Sequence, residues 1–422
     1  MPHSATKCAE LFATCAPCCY TDISSFRINK PTAFAFRGHI LKPITIKAIH
    51  LHPIALPFVE VLRTSFGQDP FKAAVLVEVV TEDGISGWGE ISVEVEPGYG
   101  AETVLTSQHI ANNFLLPRLV GQTIDDMTRV PKLMAHTRGN NHTKHGIEAA
   151  IWDALAQTND LRLADLFASY LPEGHASRGK AVVGVSIGIQ PTIEATVAII
   201  QKRLNQGYRR IKLKMQPGWD VALAKGVRDV LPDITLMLDA NSAYTLDDAD
   251  LLEELDEFNL LMVEQPLGDN DIYEHSKLQP RMKTPICLDE CIKSNSDLRL
   301  AIEIGAGRIL NLKPVRVGGY VESLEIYKTA VANNFPLWIG GMLETGPGRA
   351  ANVAFASLPG VTMPSDISAT ERYFNPDVTE PPFVLQAGST LNVPDSAGVG
   401  VTIQQDRLAE AEARWNENNH YI

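Results

Sequence analysis

The 422-residue chain is 45% hydrophobic and 21% charged, with a net charge of −13. That is the composition of an ordinary globular protein with room for two domains. The acidic balance argues against nucleic acid, which would need a basic face, and with no apolar run of 18 residues a helical membrane span is not expected. Six cysteines over this length fit a reducing, cytoplasmic compartment.

Residues 1–43 stand apart as an N-terminal extension rich in Ser, Thr, Cys and Phe without a sustained period, and they are expected to be disordered or loosely docked. Cys15, Cys18 and Cys19 crowd together there, but no second Cys or His pair lies at zinc spacing. Five basic residues (Lys7, Arg27, Lys30, Arg37, Lys42) against two acidic ones (Glu10, Asp22) keep a transit segment open as the alternative to a cytoplasmic chain.

Residues 44–175 read as a small α+β domain. ITIKAIHLHPI alternates as a strand, and AAVLVEVVTEDGISGWGE reads as a hairpin turning at Asp83-Gly84. Between them LPFVEVLRTSFGQDP suits a mobile loop over a site, where Phe58 and Phe66 would cover an apolar substituent. His136, His142 and His145 lack an acidic or Cys partner at ligand spacing, and their segment reads as a loop entering a helix. That helix, IEAAIWDALAQ, packs one apolar face in the ordinary way.

From residue 176 to 370 strand-like runs alternate with helical ones: VVGVSIGI, RRIKLKM, ITLMLDA, LLMVEQP, PICLDEC, RILNLKP, PLWIGG and VTMPSDI. Five ionisable residues mark the ends of consecutive runs. Lys214 is followed after 25 residues by Asp239, after 25 by Glu264, after 25 by Asp289 and after 24 by Lys313. A constant step of this size is a repeated strand–helix unit, and the carboxyl end of barrel strands is where active sites are built. Residues 371–422 are irregular and are expected to pack back on the small domain. The fold class is therefore α/β, a TIM-like barrel with an α+β capping domain.

Side chains alternate along a strand, so Lys212 and Lys214 share a face, as do Asn311 and Lys313, and Asp239 and Asn241. Lys214 on strand 2 and Lys313 on strand 6 of eight stand across the mouth, with three carboxylates between them on strands 3 to 5. Such a trio repels itself unless a cation sits there, and oxygen-only ligation favours Mg²⁺ or Mn²⁺. Two lysines facing each other across that ion would lower one another's pKa, so that one acts as a neutral base. The chemistry expected is abstraction of the proton α to a carboxylate, through an enediolate. The competing reading is a set of inter-strand salt bridges in a silent barrel, but three acids flanked by bases on five consecutive strands make an active site the better account.

The motifs KLK (212–214), DAN (239–241), EQP (264–266), LDE (288–290) and NLKPVRVGG (311–319) resemble the enolase superfamily, and most of all its muconate-lactonizing-enzyme subgroup. The resemblance spans about residues 44–405 and implies a (β/α)7β barrel with a capping domain. It implies metal ligands at Asp239, Glu264 and Asp289, acid/base lysines at Lys214 and Lys313, and Lys212 supporting the substrate carboxylate. Within the subgroup, GGMLETGPGRAAN (340–352) and SDISATERYFNPDVTEPPFVL (365–385) resemble o-succinylbenzoate synthases and N-succinylamino acid racemases. Arg316 matches an arginine of members with racemase activity. Pro347 stands where that family carries an aliphatic residue, and the extension has no counterpart in it.

At the pocket, Gly341 and Met342 would admit a bulky, partly apolar carboxylate substrate, with Asn241 and Arg316 also at the substrate. Glu344 is either a rim residue or a partner of a catalytic lysine. No Asp-x-Asp ends strand 7 or 8 to bind a dipeptide amine, which counts against a dipeptide epimerase. A muconate-type cycloisomerase would use the same lysines and metal. Barrels with exposed capping domains often assemble, so a homo-oligomer is expected.

Overall fold

The computed structural model describes residues 41–61, 63, 67 and 70–418. The extension up to residue 40, with its cysteine cluster, and Phe66 lie outside them. The capping sheet is antiparallel in the order β3-β2-β1-β4, from strands Ile44–Pro57 (β1), Phe71–Thr81 (β2), Ser86–Ile91 (β3) and Thr123–Ile124 (β4). Asp83-Gly84 forms the β2–β3 turn, with Gly84 in the left-handed region at φ 81°, where glycine carries no steric cost.

The helix Asn141–Thr158 lies directly on this sheet and is buried on nearly every side from Thr143 to Ala156. The close approach is made by glycines. A Cβ on Gly89 would stand 2.2 Å from the Gly146 carbonyl oxygen, and one on Gly87 would stand 2.4 Å from that of Ala150. The alternating Gly-Trp-Gly of β3 is therefore a packing motif. His145 of this helix lies against the ring of Tyr320 at 5.0 Å, and the His142 ring bonds to the Ser92 carbonyl at 2.8 Å. Neither forms part of a metal cluster among the described residues.

Strand Lys180–Val182 (β5) pairs with the late strand Thr390–Asn392 (β14). Seven parallel strands then follow in sequence order: Val185–Ile187 (β6), Arg210–Lys214 (β7), Thr235–Asp239 (β8), Val263–Glu264 (β9), Ile286–Leu288 (β10), Ile309–Leu312 (β11) and Leu337–Ile339 (β12). A helix fills each connection, bounded by local signals. The helix Ile193–Gln206, for example, is capped by Thr192 and stopped by Gly207 at φ 106°.

The eighth run does not form a regular strand. Residues 361–366 make single parallel bridges instead, Val361 to Leu337 and Asp366 to Gly340 on one side and Ser365 to Val183 on the other. These span the gap between β12 and the first strand and close the barrel. Pro364, which has no N–H to donate, interrupts any ladder there. Met237, Met262, Cys287, Ile309 and Trp338 form a buried cluster in the barrel.

The C-terminal part contains Thr379–Glu380 (β13) paired with Thr402–Ile403 (β15). It ends in the helix Gln405–Asn418, whose Leu408 and Ala411 share an apolar cluster with Ile54 and Leu56 of β1.

Candidate active site

At the carboxyl ends of β7 to β11 the side chains form one buried network. Asp239 and Glu264 are direct cross-strand partners, and Asp289 follows one residue after β10. All three are at most 1% exposed. Lys212 Nζ stands 3.1 Å from Asp239, 3.1 Å from Glu264 and 2.8 Å from Asp366, above the Trp338 ring at 5.2 Å. Lys214 Nζ donates to Asp239 and to the Asn241 side-chain oxygen, both at 2.6 Å. On the opposite strand Lys313 Nζ donates to Asp289 at 2.9 Å and to the Tyr99 hydroxyl at 2.6 Å.

Each of the two lysines is held by its own carboxylate, Lys214 by Asp239 and Lys313 by Asp289. For Lys212 burial acts to lower the pKa, but Asp239, Asp366 and Glu264 outweigh it and hold the ammonium well above its usual range. Burial raises Asp239, yet Lys212 and Lys214 bring it below the ordinary carboxylate range. Glu264 goes the other way. Burial first, then the charges of Asp239 and Asp289, push it up to about 8 despite Lys212. Burial and its two acidic neighbours thus outweigh the one ammonium beside the middle acid of the trio.

The loops after these strands are strained as well as polar. Asn241, Ser242, Gln265 and Leu343 all adopt positive φ, a conformation that costs non-glycine residues of order 1–3 kcal/mol each and clusters at functional sites. The strain is held by hydrogen bonds: Asn241 donates to Glu290 at 3.0 Å, and the Gln265 side-chain oxygen accepts from the Asp289 backbone at 2.9 Å. Asn311 donates to Glu264 at 2.6 Å. Gly340 makes room for it, since a Cβ there would stand 2.1 Å from Asn311 Oδ1.

Above the network lies a cavity of about 300 Å³. Its barrel side includes Lys212, Lys214, Asn241, Lys313, Gly341, Met342 and Asp366, and its capping side Phe58, Lys72, Val93 and Tyr99. Phe58 also stacks on Phe374 at 5.8 Å. Arg316, read from the sequence as a substrate contact, does not border this cavity. It sits behind, paired with Asp289 and bonded to Tyr99. Glu344 is neither at the rim nor on a lysine: it is buried, and its Oε1 accepts from Met342 N at 2.9 Å and Asn352 at 3.0 Å, bracing its own loop. Pro347 occupies the first turn of the helix Gly346–Ala356, where its missing N–H leaves nothing unsatisfied.

Three residues escaped the sequence reading. Tyr99 reaches in from a capping loop and touches Lys313, Arg316 and Asp289 (3.3 Å). Asp366 holds Lys212 and also accepts from Ser186 at 3.1 Å. Lys72 enters the cavity wall from β2.

Comparison with known proteins agrees with this architecture. Residues 195–407 match the model described as "Enolase C-terminal domain-like", and residues 45–168 match "Mandelate racemase / muconate lactonizing enzyme, N-terminal domain". An o-succinylbenzoate synthase of Geobacillus stearothermophilus is 41% identical over 86% of this chain and 95% of its own length. An N-succinylamino acid racemase of Amycolatopsis sp. is 41% identical over 86% of this chain and 97% of its own. A solved enolase-superfamily structure from Listeria innocua superposes with a TM-score of 0.82 at 37% identity, over 87% of this chain and 97% of that one. A hydrophobic dipeptide epimerase of Enterococcus faecalis is more distant, at 26% identity over 85% of this chain and 99% of its own length.

Fold and relatives together define an enzyme built as a capped α/β barrel. The chain belongs to the mandelate racemase/muconate lactonizing enzyme family of the enolase superfamily.

Members of this superfamily generally use Mg²⁺. Among the described residues no three acidic, His or Cys side chains already converge as a metal cluster; the Lys212 ammonium lies 3.1 Å from both Asp239 and Glu264. The donor set nevertheless fits a hard cation. It is all oxygen, buried and on three adjacent strands, and the acids repel one another there. No helix of the described residues is long and apolar enough to cross a membrane.

Proposed function

We propose that the enzyme racemises N-acylated, most specifically N-succinylated, amino acids by removing and returning the α-proton, and that the same residues serve o-succinylbenzoate formation. The observation that carries this reading is the pair Lys214, at the end of β7, and Lys313, just after β11 four strands further on, with three buried acids between them. Asp239, Glu264 and Asp289 would hold Mg²⁺ (or Mn²⁺), which supplies charge stabilisation for a substrate carboxylate as its α-carbon becomes acidic.

The protein's own residues do the rest. Lys212, anchored by Asp366, keeps a permanent ammonium beside the substrate carboxylate and the enediolate that develops from it. Lys214, steadied by Asn241, moves the proton on one face, and Lys313, steadied by Tyr99, moves it on the other. Asn311 orients Glu264, and Arg316 orients Asp289. Gly341, Met342 and Phe58 shape the wall against the substrate's apolar part. A small-molecule carboxylate is the partner in this reading.

Dipeptide epimerisation is the weaker reading. A dipeptide amine needs a free carboxylate, and Asp366 is already engaged by Lys212, Ser186 and Arg210.

The test is α-proton exchange in D₂O followed by NMR, with Mg²⁺ and N-succinyl-L-phenylalanine. Exchange accompanied by loss of optical rotation, stopped by a chelator and restored by Mg²⁺, supports racemisation. Absence of exchange in folded, Mg²⁺-supplied protein would send the assignment to muconate-like or succinylbenzoate-forming substrates.

A further inference from the structure

Lys72 differs from every other lysine on the cavity. Lys212, Lys214 and Lys313 each have a carboxylate oxygen within 3.1 Å. Lys72, only 5% exposed, has none within ion-pairing distance among the described residues. Its ammonium donates to Ser92 Oγ at 2.7 Å, to the Met342 carbonyl at 3.0 Å and, weakly, to the Val93 carbonyl at 3.4 Å. All three acceptors are neutral.

Glu90 is close enough to feel the Lys72 charge and keeps one carboxylate oxygen, Oε1, without a hydrogen bond among the described residues, but it forms no ion pair with Lys72. Glu90 accepts from Thr345 N at 2.8 Å and Thr345 Oγ1 at 2.7 Å, and Glu344 is committed to Met342 N and Asn352. Glu94 and Glu96 border the same cavity. A buried ammonium given only neutral acceptors recovers part of its lost hydration, and an anion brought to it recovers more.

We propose that Lys72 is a specificity-determining residue: it receives the anionic end of the substrate's acyl arm on the capping wall of the cavity. This rests on the N-acyl amino acid reading above. With the α-carbon between Lys214 and Lys313 and its carboxylate beside Lys212, the acyl arm extends along Val93 and Met342. A carboxylate at its tip would replace the long bond to Val93. The substrate class is then the monoamide of a short dicarboxylic acid with an amino acid, in preference to an uncharged acyl group.

The test compares binding of N-succinyl-L-phenylalanine and N-acetyl-L-phenylalanine by titration calorimetry of Mg²⁺-loaded protein, which is informative even if neither compound is turned over. Wild type should prefer the succinyl compound. Lys72→Met should lose about ten-fold or more of that preference, the scale of one charge-assisted hydrogen bond, while Lys72→Arg keeps most of it. Should Lys72→Met disturb folding, the Arg variant and Ser92→Ala report on the same contact. Equal weakening of both ligands would overturn the proposal and leave Lys72 a brace for the Met342 loop, as would a wild type with no preference. Failure of proton exchange with intact succinyl preference would instead count against the racemase reading alone.

Discussion

Replacing Tyr99 by Phe removes one oxygen and leaves the ring over Lys313 in place. That oxygen accepts from Lys313 and from Arg316, each at 2.6 Å, and donates to Asp289 at 3.3 Å. Lys313 would then keep Asp289 alone as a hydrogen-bond partner among the described residues. A hydrogen bond to a charged group contributes about 1.5–3 kcal/mol, and the retained partner argues for the lower end, so proton transfer at Lys313 should slow by about ten-fold. Lys214 is held by Asp239 and Asn241 on the other side of the mouth and should be little affected. The assay is deuterium wash-in with each enantiomer of an N-succinyl amino acid supplied separately. The enantiomer whose proton Lys313 handles should lose about ten-fold, with the other changing much less. Equal loss for both would refute the idea that Tyr99 acts through Lys313.

Other expectations follow from packing and charge. Gly89→Ala drives a Cβ against the Gly146 carbonyl at 2.2 Å with backbone on both sides; it should destabilise by about 3 kcal/mol or more, seen as a lower denaturation midpoint. Gly340→Ala should dislodge Asn311 from Glu264 and weaken Mg²⁺ binding by about 10–100-fold in a metal titration, with the fold retained. Glu148 caps the helix Tyr320–Ala332 through Val321 N at 2.9 Å, and burial raises its pKa to about 7 from an ordinary 4.5. The folded state binds the proton more tightly than the unfolded one, so this group's contribution is full below about pH 4.5 and is lost as pH rises through about 7. Glu148→Gln should therefore gain on wild type between pH 5 and pH 8 in denaturant titrations, by roughly 1–3 kcal/mol; a constant difference would contradict the assignment.

The barrel was legible because each strand–helix unit has nearly the same length, so Lys214, Asp239, Glu264, Asp289 and Lys313 recur at one step. Alternation along β7 set the facing of Lys212 and Lys214. Tyr99 and Lys72 were not legible. Both come from capping segments whose meeting with the barrel depends on tertiary docking, and a single Tyr in a Pro-Gly-Tyr-Gly loop carries no period. Arg316 was legible as a residue of interest but not in its direction, because a short helix at a strand end turns the side chain behind Asp289. Glu344 was misplaced for a similar reason: in a loop, side-chain direction follows from neighbours such as Asn352 that sequence spacing does not bring together. The last barrel segment was read as a strand from its apolar run, while Pro364 limits it to bridges.

The most direct test of the two-base account is stereospecific exchange in the single-lysine variants. Lys214→Ala and Lys313→Ala should each abolish racemisation, yet each should still wash deuterium into one enantiomer, and the two should choose opposite enantiomers. Exchange of both enantiomers by either variant, or the same surviving enantiomer in both, would contradict it.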